Sequence, residues 1–444
     1  MQRENLMEFQ QRNLCRIVAL LIAGIGSTAA IAAGPLVQGG GSSLVAPMIG
    51  EPGIANTEIG LFGTAEATLT YYPVGSGNGQ NAFLKNQPTF LGSQNTGMVD
   101  FAYSDAALSS SQITSYKTGL GTTNGPLIQI PYIVTPITVP IINGPAVTST
   151  TTPQTTPGQA HSIALNDDDL CGVFSGKLTN WNQVTNPETG SVYTLHAPIT
   201  VVYRSDSSGT TELLTRHLVA VCTTANTAPG VTFVDSTTFT ASFPTGFPSG
   251  STFVAASGSG GVRNQLVTYA TTTTTTAAVA YLSPAYTNTY LAPQSTVTTS
   301  ASATQLPVAS LRNTAIGTYY APTYANASMA LSNFAPPTAG IPARNQVNWV
   351  PNAGNPTSGY PVSGTSQIIL SQCYADPNIA TAMHDLLNSH YTNASFASIV
   401  HGNGFDMVAS NYLAAISQDF LSNTSTYNLD IGNTSICRDT VTGR

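Results

Sequence analysis

Charge is what this sequence has least of: Asp, Glu, Lys and Arg make up 7% of its 444 residues. Lys and Arg number 13 in all, and Arg3, Arg12 and Arg16 of these precede Ile17. The rest form no basic cluster, so nucleic acid and anionic membranes are excluded as partners that would need one. Cysteine is scarce too, with five residues and no C-x-x-C. The six His stand in no ligand-like spacing, so neither structural zinc nor another metal or cofactor is expected. No apolar run approaches the roughly 20 residues of a membrane-spanning helix.

The one apolar run worth naming is Ile17–Ile25. It follows Arg12 and Arg16, is interrupted by Gly24, and gives way to small residues through Ala33. Ala30-Ile31-Ala32 meets the small-x-small rule, which predicts a secretory leader over residues 1–32, cleaved near Ala32 or Ala33. An uncleaved anchor is the competing reading, and Met7 is an alternative start. The mature chain is then periplasmic or secreted and long enough for two domains. Cys15 leaves with the leader, while Cys171, Cys222, Cys373 and Cys437 remain. An even number in an exported chain points to two disulfides rather than buried thiols, with three pairings open. The sequence-local choice is Cys171–Cys222 and Cys373–Cys437. No cysteine stands at the cleavage site, which favours a soluble product over a lipoprotein.

What the chain has in plenty is Ser, Thr, Asn and Gly. The Thr/Pro-rich tract 148–158 reads as a flexible surface excursion, and the Thr tract 268–276 as an edge strand, because β-branched residues suit extended backbone. Short apolar runs predict buried strands at 68–74, 98–103, 128–142, 199–203, 278–282 and 366–370. Helical spacing places Leu213, Leu214, His217, Leu218 and Val221 on one face, and Ile379, Met383, Leu386 and Leu387 on another. Asp168–Phe174 reads as a short helix with acids at its start. Alternating strands and helices imply α/β layers, and the long run 128–142 looks like a crossing between two domains.

Four Gly/Ser-rich loops carry the chemistry: 39–44, 75–79, 103–106 and 204–210. In the last, a strand ending at Tyr203 runs through Arg204-Ser205-Asp206-Ser207-Ser208-Gly209-Thr210 into a helix. A helix start offers unpaired N–H groups and the positive end of a dipole, which together suit an anion. Arg204 adds a planar charged fork that Asp206 can hold in place. Gly209 permits close approach, and Ser208 and Thr210 add hydroxyls. A plain N-cap explains the loop taken alone, but not four such loops at strand ends, where α/β sheets bind ligands. Asp105 should repel an anion unless that anion carries a proton, so it points to hydrogen phosphate over sulfate.

These loops, together with "DLCGVFSGKLTNW" (169–181), "VVYRSDSSGTTELLTRHL" (201–218), "SQCYA" (371–375) and "IGNTSIC" (431–437), resemble the PstS-type phosphate receptors of ABC importers. The closest resemblance is to the DING group, over most of the mature chain. It implies a type II periplasmic-binding-protein fold: two α/β domains joined by a hinge, with an anion cleft between them. Residues 33–132 plus 365–444 would form domain 1 and 133–364 domain 2. It further implies that Ser43, Leu44 and Ser76 donate to phosphate from one side and that Asp105 accepts its proton. Arg204, Ser208, Gly209 and Thr210 would bind from the other. The local cysteine pairing agrees with the DING pattern. A monomer serving an ABC permease is the implied assembly. The chain departs from the pattern in having Leu36-Val37-Gln38 where Asp-Ile-Asn stands, and Ser43 in place of Thr. Two other readings compete: a phosphatase using Ser76 or Ser208 as nucleophile, for which no His or Lys lies nearby in sequence, and an adhesion protein that retains the fold.

Overall fold

In the computed structural model, which describes residues 34–272 and 275–444, the apolar β-branched runs lie in extended backbone. In chain order the strands are β1 (Leu36–Gly41), β2 (Thr68–Tyr72), β3 (Phe101–Ser104), β4 (Leu127–Pro136), β5 (Ile141–Ile142) and β6 (Ala164–Leu165). There follow β7 (Ile199–Arg204), β8 (Thr252–Ala256), β9 (Ala277–Val279), β10 (Ser310–Asn313), β11 (Thr318–Tyr320), β12 (Ser363–Ser371) and β13 (Asp406–Met407). The expected leader lies outside the described residues. No helix among those described is long and apolar enough to cross a membrane.

Two mixed sheets organise the molecule. One has the order β13-β4-β12-β3-β1-β2, with β1 parallel to β2 and β3, and β12 antiparallel to β3 and β4. The other has the order β5-β9-β7-β8, with β7 parallel to both β8 and β9. A small third sheet runs β11-β10-β6. The run 128–142 does cross between sheets: β4 belongs to the first and β5 to the second. β4 and β12 are buried along their whole length, as expected of central strands covered on both faces.

The expected helices form, at Asp167–Ser175, Gly209–Val221 and Pro377–Thr392. Leu213, Leu214, His217 and Leu218 are all buried, as are Met383, Leu386 and Leu387. Asn166 and Asp169 close a reciprocal capping box on the first of these helices. Both disulfides pair locally, Cys171–Cys222 and Cys373–Cys437. The first ties the Asp167–Ser175 helix to the end of the Gly209–Val221 helix.

Both Thr tracts depart from expectation. Thr268–Thr272 closes the helix Gly258–Thr272 instead of forming an edge strand. The Thr268, Thr271 and Thr272 hydroxyls donate to carbonyls four residues back, at 2.9, 2.9 and 2.6 Å, a local bond that lets β-branched Thr sit in a helix. In 148–158, Thr152, Thr155 and Thr156 are buried, not part of a surface excursion. Thr152 Oγ1 donates to Ser162 O at 2.8 Å, and Thr155 Oγ1 donates to Val308 O. The tract is a polar plug: its hydroxyls replace the ladder bonds that the loop lacks.

One polar cluster lies deep in the first sheet. Ser366 and Gln367 of β12 face Ile133 and Pro131 of β4, so Tyr132 is the extra residue of a β-bulge. Its carbonyl faces His390 Nε2 at 2.8 Å, and its hydroxyl donates to Glu58 Oε2 at 2.6 Å. His390 Nδ1 faces Glu58 Oε1 at 2.8 Å, and its ring stacks on Tyr132 with centroids 3.5 Å apart. Both imidazole nitrogens thus meet oxygens within hydrogen-bond distance. The pair fastens two helices to the bulge. Removing one partner of such a buried pair costs about 3–5 kcal/mol. His390→Ala should therefore lower unfolding free energy by about that much in denaturant titration; a change within experimental error would show that the cluster fastens nothing.

Candidate functional site

Five strands end at one place. β1, β2 and β3 deliver Ser42–Leu44, Gly75–Ser76 and Asp105 from the first sheet, and β7 and β8 deliver Arg204 and Gly258–Ser259 from the second. Three helices begin there, at Ser76, Gly209 and Gly258. Helix starts present N–H groups without intrahelical partners, so the carboxyl ends of two sheets face each other across convergent donors. Ser43, Leu44, Ser76, Asp105, Arg204, Ser208, Gly209 and Thr210 all come together, and all are buried.

The second wall is built around Arg204, which is 2% exposed. Its Nε donates to Asp206 Oδ1 at 2.7 Å and Nη2 donates to Asp206 Oδ2. Asp206 also accepts from Gly258 N at 2.9 Å. Burial alone would lift the Asp206 carboxyl, but the guanidinium's hydrogen bonds and charge hold it below its usual range. Arg204 Nη1 donates to Ser259 Oγ at 3.3 Å. Of its five N–H donors these bonds take three, which leaves two for a ligand. Ser208 Oγ accepts from Thr211 N at 3.2 Å, the bond of an ordinary N-cap. Among the described residues the N–H groups of Gly209 and Thr210, at the first turn, have no bonded partner.

That wall centres on Asp105, 2% exposed. Its Oδ1 accepts from Ser42 Oγ at 2.6 Å and from Ser366 Oγ at 2.8 Å. Among the described residues its Oδ2 has only a long contact from Thr210 Oγ1, at 3.3 Å. Burial pushes the carboxyl up from its ordinary value, while the Ser42 and Ser366 hydroxyls and the Arg204 charge pull against that rise. Asp105 N donates to Ser76 Oγ at 3.3 Å, and Leu44 N donates to Ser42 Oγ at 3.1 Å.

The walls touch. Ser43 Oγ lies 3.0 Å from both Oγ and N of Ser259. Gly77 N donates to Ser207 O at 3.1 Å, and Ser283 Oγ donates to Leu44 O at 3.2 Å. Glycine makes this closeness possible. At Gly75, with φ +89°, a Cβ would stand 2.5 Å from Asp206 Oδ2. At Gly209 it would stand 2.6 Å from Ala106 N and 2.7 Å from Ser76 Oγ.

Ser42 stood in the 39–44 loop without a role of its own, while Ser259 and Ser366 escaped the sequence reading as site residues, as did Tyr281, whose hydroxyl accepts from Arg204 N at 3.0 Å. Ser259 carried a usable signal, because Gly258-Ser259-Gly260-Gly261 repeats the strand–Gly/Ser–helix pattern of the Arg204 loop. Ser366 carried none, being one hydroxyl within a buried strand.

Residues 26–336 match the PBP superfamily domain. The chain belongs to that superfamily, among its PstS-type and DING members. It is 32% identical to a protein named "Alkaline phosphatase L" from Pseudomonas aeruginosa PAO1 over 420 residues, covering 94% of this chain and 96% of the relative. It is 34% identical to a "Phosphate-binding protein" from an unknown prokaryotic organism over 377 residues, covering 83% and 91% of the two chains. Among solved structures it is similar to a high-affinity periplasmic phosphate-binding protein, PfluDING, bound with phosphate. The TM-score is 0.70 at 32% identity, over 92% of this chain and 99% of that one. Its type II architecture of facing α/β layers is that of the superfamily.

A methyl group at Gly209 would press on backbone as well as side chains, so the walls could not keep their present distance. Overpacking of this kind costs about 1–3 kcal/mol. Gly209→Ala should lower the melting temperature accordingly and speed hydrogen exchange at Ala106; unchanged exchange there would mean that the two walls do not depend on this contact.

Proposed function

We propose that this protein captures hydrogen phosphate between its two walls and acts as an exported binding protein. The observation that carries the reading is the division of labour at Asp105. One oxygen is engaged by two hydroxyls and the other faces Thr210, so the carboxylate is an acceptor placed among donors. An oxyanion with a proton to give fits such a site, and fully ionised sulfate does not. Ser43, Leu44 and Ser76 would donate from the first wall. The two spare N–H groups of Arg204, with Ser208, Gly209 and Thr210, would donate from the second. Because Asp206 already balances the Arg204 charge, helix dipoles and neutral donors would supply much of the grip.

The domain division goes with this reading: residues 33–132 plus 365–444 against 133–364, with the chain crossing near the ends of β4 and β12, which pair within the first sheet. Export accords with the two disulfides. Delivery to an ABC permease by a monomer is the use that the PstS resemblance suggests.

The name of the P. aeruginosa relative favours a second reading, phosphate-ester hydrolysis by Ser76 or Ser208. In this chain those hydroxyls accept from backbone N–H groups at 3.3 and 3.2 Å. The buried imidazoles pair with carboxylates elsewhere, His217 with Asp167 and His390 with Glu58. Among the described residues neither hydroxyl has a hydrogen-bonded His or Lys of the kind that activates a serine nucleophile.

Titration calorimetry with phosphate, sulfate and arsenate tests the main reading. Phosphate should bind far more tightly than sulfate, and Arg204→Ala should weaken it about a hundredfold or more, since charge-assisted bonds are lost. Equal affinity for phosphate and sulfate would sink the specificity argument. Turnover of an aryl phosphate that disappears in Ser76→Ala or Ser208→Ala would replace the binding reading with the enzymatic one.

A further inference from the structure

We propose that Ser366 is a positioning residue: its hydroxyl, presented at the β-bulge of Tyr132, keeps Asp105 a hydrogen-bond acceptor and so sets the pH below which the site loses its preference for hydrogen phosphate over sulfate. The inference rests on the phosphate reading above and adds a determinant of its specificity.

Three observations lead to it. Ser366 is fully buried and lies 261 positions from Asp105, yet its Oγ is 2.8 Å from Asp105 Oδ1. In the β12–β3 ladder Gln367 faces Ser104, so Ser366 falls one step past the end of β3, beside Asp105. On the other edge of β12 the register shifts between Ser366 and Gln367. Bulges re-aim side chains near functional sites. This one is fastened by the Glu58–His390 pair through the carbonyl and hydroxyl of Tyr132.

The consequence is electrostatic. Hydroxyls that donate to a carboxylate favour its charged form. With Ser42 and Ser366 both on Oδ1, the acceptor capacity of Asp105 toward a ligand lies on Oδ2. Once protonated, Asp105 becomes a donor, and an oxyanion with no proton of its own is then matched. Loss of one Oδ1 hydroxyl should move that changeover to higher pH. The other charged or titratable groups facing Asp105 are Arg204 on β7, Glu212 on the Gly209–Val221 helix and Tyr71 on β2. Burial lifts Glu212 to about 7, so it would titrate within the pH range of the experiment and must be held constant.

The experiment is calorimetry of phosphate and sulfate between pH 5 and 8, with Glu212→Gln as the parent protein. Ser366→Ala should keep the parent's phosphate preference at pH 8. Toward pH 5 it should lose preference about tenfold beyond the parent, its curve displaced upward by about one pH unit, with sulfate affinity rising. Ser366→Thr should restore the parent curve. Ser366→Cys, close in shape and a weaker donor, should fall between, and it carries the test if the alanine variant does not fold. Curves that superimpose for parent and variants would overturn the proposal. So would an equal loss of phosphate affinity at every pH without a sulfate gain, the mark of a purely structural role. A parent that binds no phosphate even at pH 8 would instead overturn the phosphate reading itself.

Discussion

The bond from which the site takes its chemical character is the one between Asp105 Oδ1 and the Ser42 and Ser366 hydroxyls. A buried carboxylate without donors would take up a proton, because desolvation disfavours its charge. Here two short hydrogen bonds, from Ser42 just after β1 and from Ser366 of β12, at 2.6 and 2.8 Å, oppose that tendency. They also fix which oxygen remains for a ligand. A negative group among the N–H donors of three helix starts is thereby opposed less by its burial, and on the proposed reading the cleft would distinguish anions by whether they bring a proton.

Strand order places these groups. β1 and β3 are parallel neighbours, so the loops after them emerge side by side and Ser42 meets Asp105. β12 runs antiparallel to β3 and adds Ser366 from the far end of the chain. The Tyr132 bulge breaks the ladder beside that contact, and the break is made good by a histidine and a glutamate from two helices. On the facing wall the disulfide Cys171–Cys222 secures the end of the Gly209–Val221 helix, while its start lies against Asp105.

Much of this was legible beforehand. The Arg204–Thr210 loop declared itself through local chemistry: a strand end, an arginine with a carboxylate two residues on, and Ser-Gly-Thr before an amphipathic helix. Asp105 declared itself by contradiction, as an acid among anion-binding loops. The Thr tracts were misread because β-branched composition is a weak guide where hydroxyls can bond to the backbone. Thr268–Thr272 found acceptors one helical turn back, and Thr152 and Thr155 found theirs in distant loops.

By itself the sequence determined the four loops, the layer pattern, the even set of four cysteines and the argument that the ligand carries a proton. Each rests on residues close in the chain or on the family pattern. Only the tertiary structure decided how Asp105 remains an acceptor. Ser366 lies 261 residues away on a fully buried strand, and nothing in its neighbourhood marks one serine as different from the next. Its role comes from strand order and a one-residue bulge, and register is a property of paired strands that no single segment encodes.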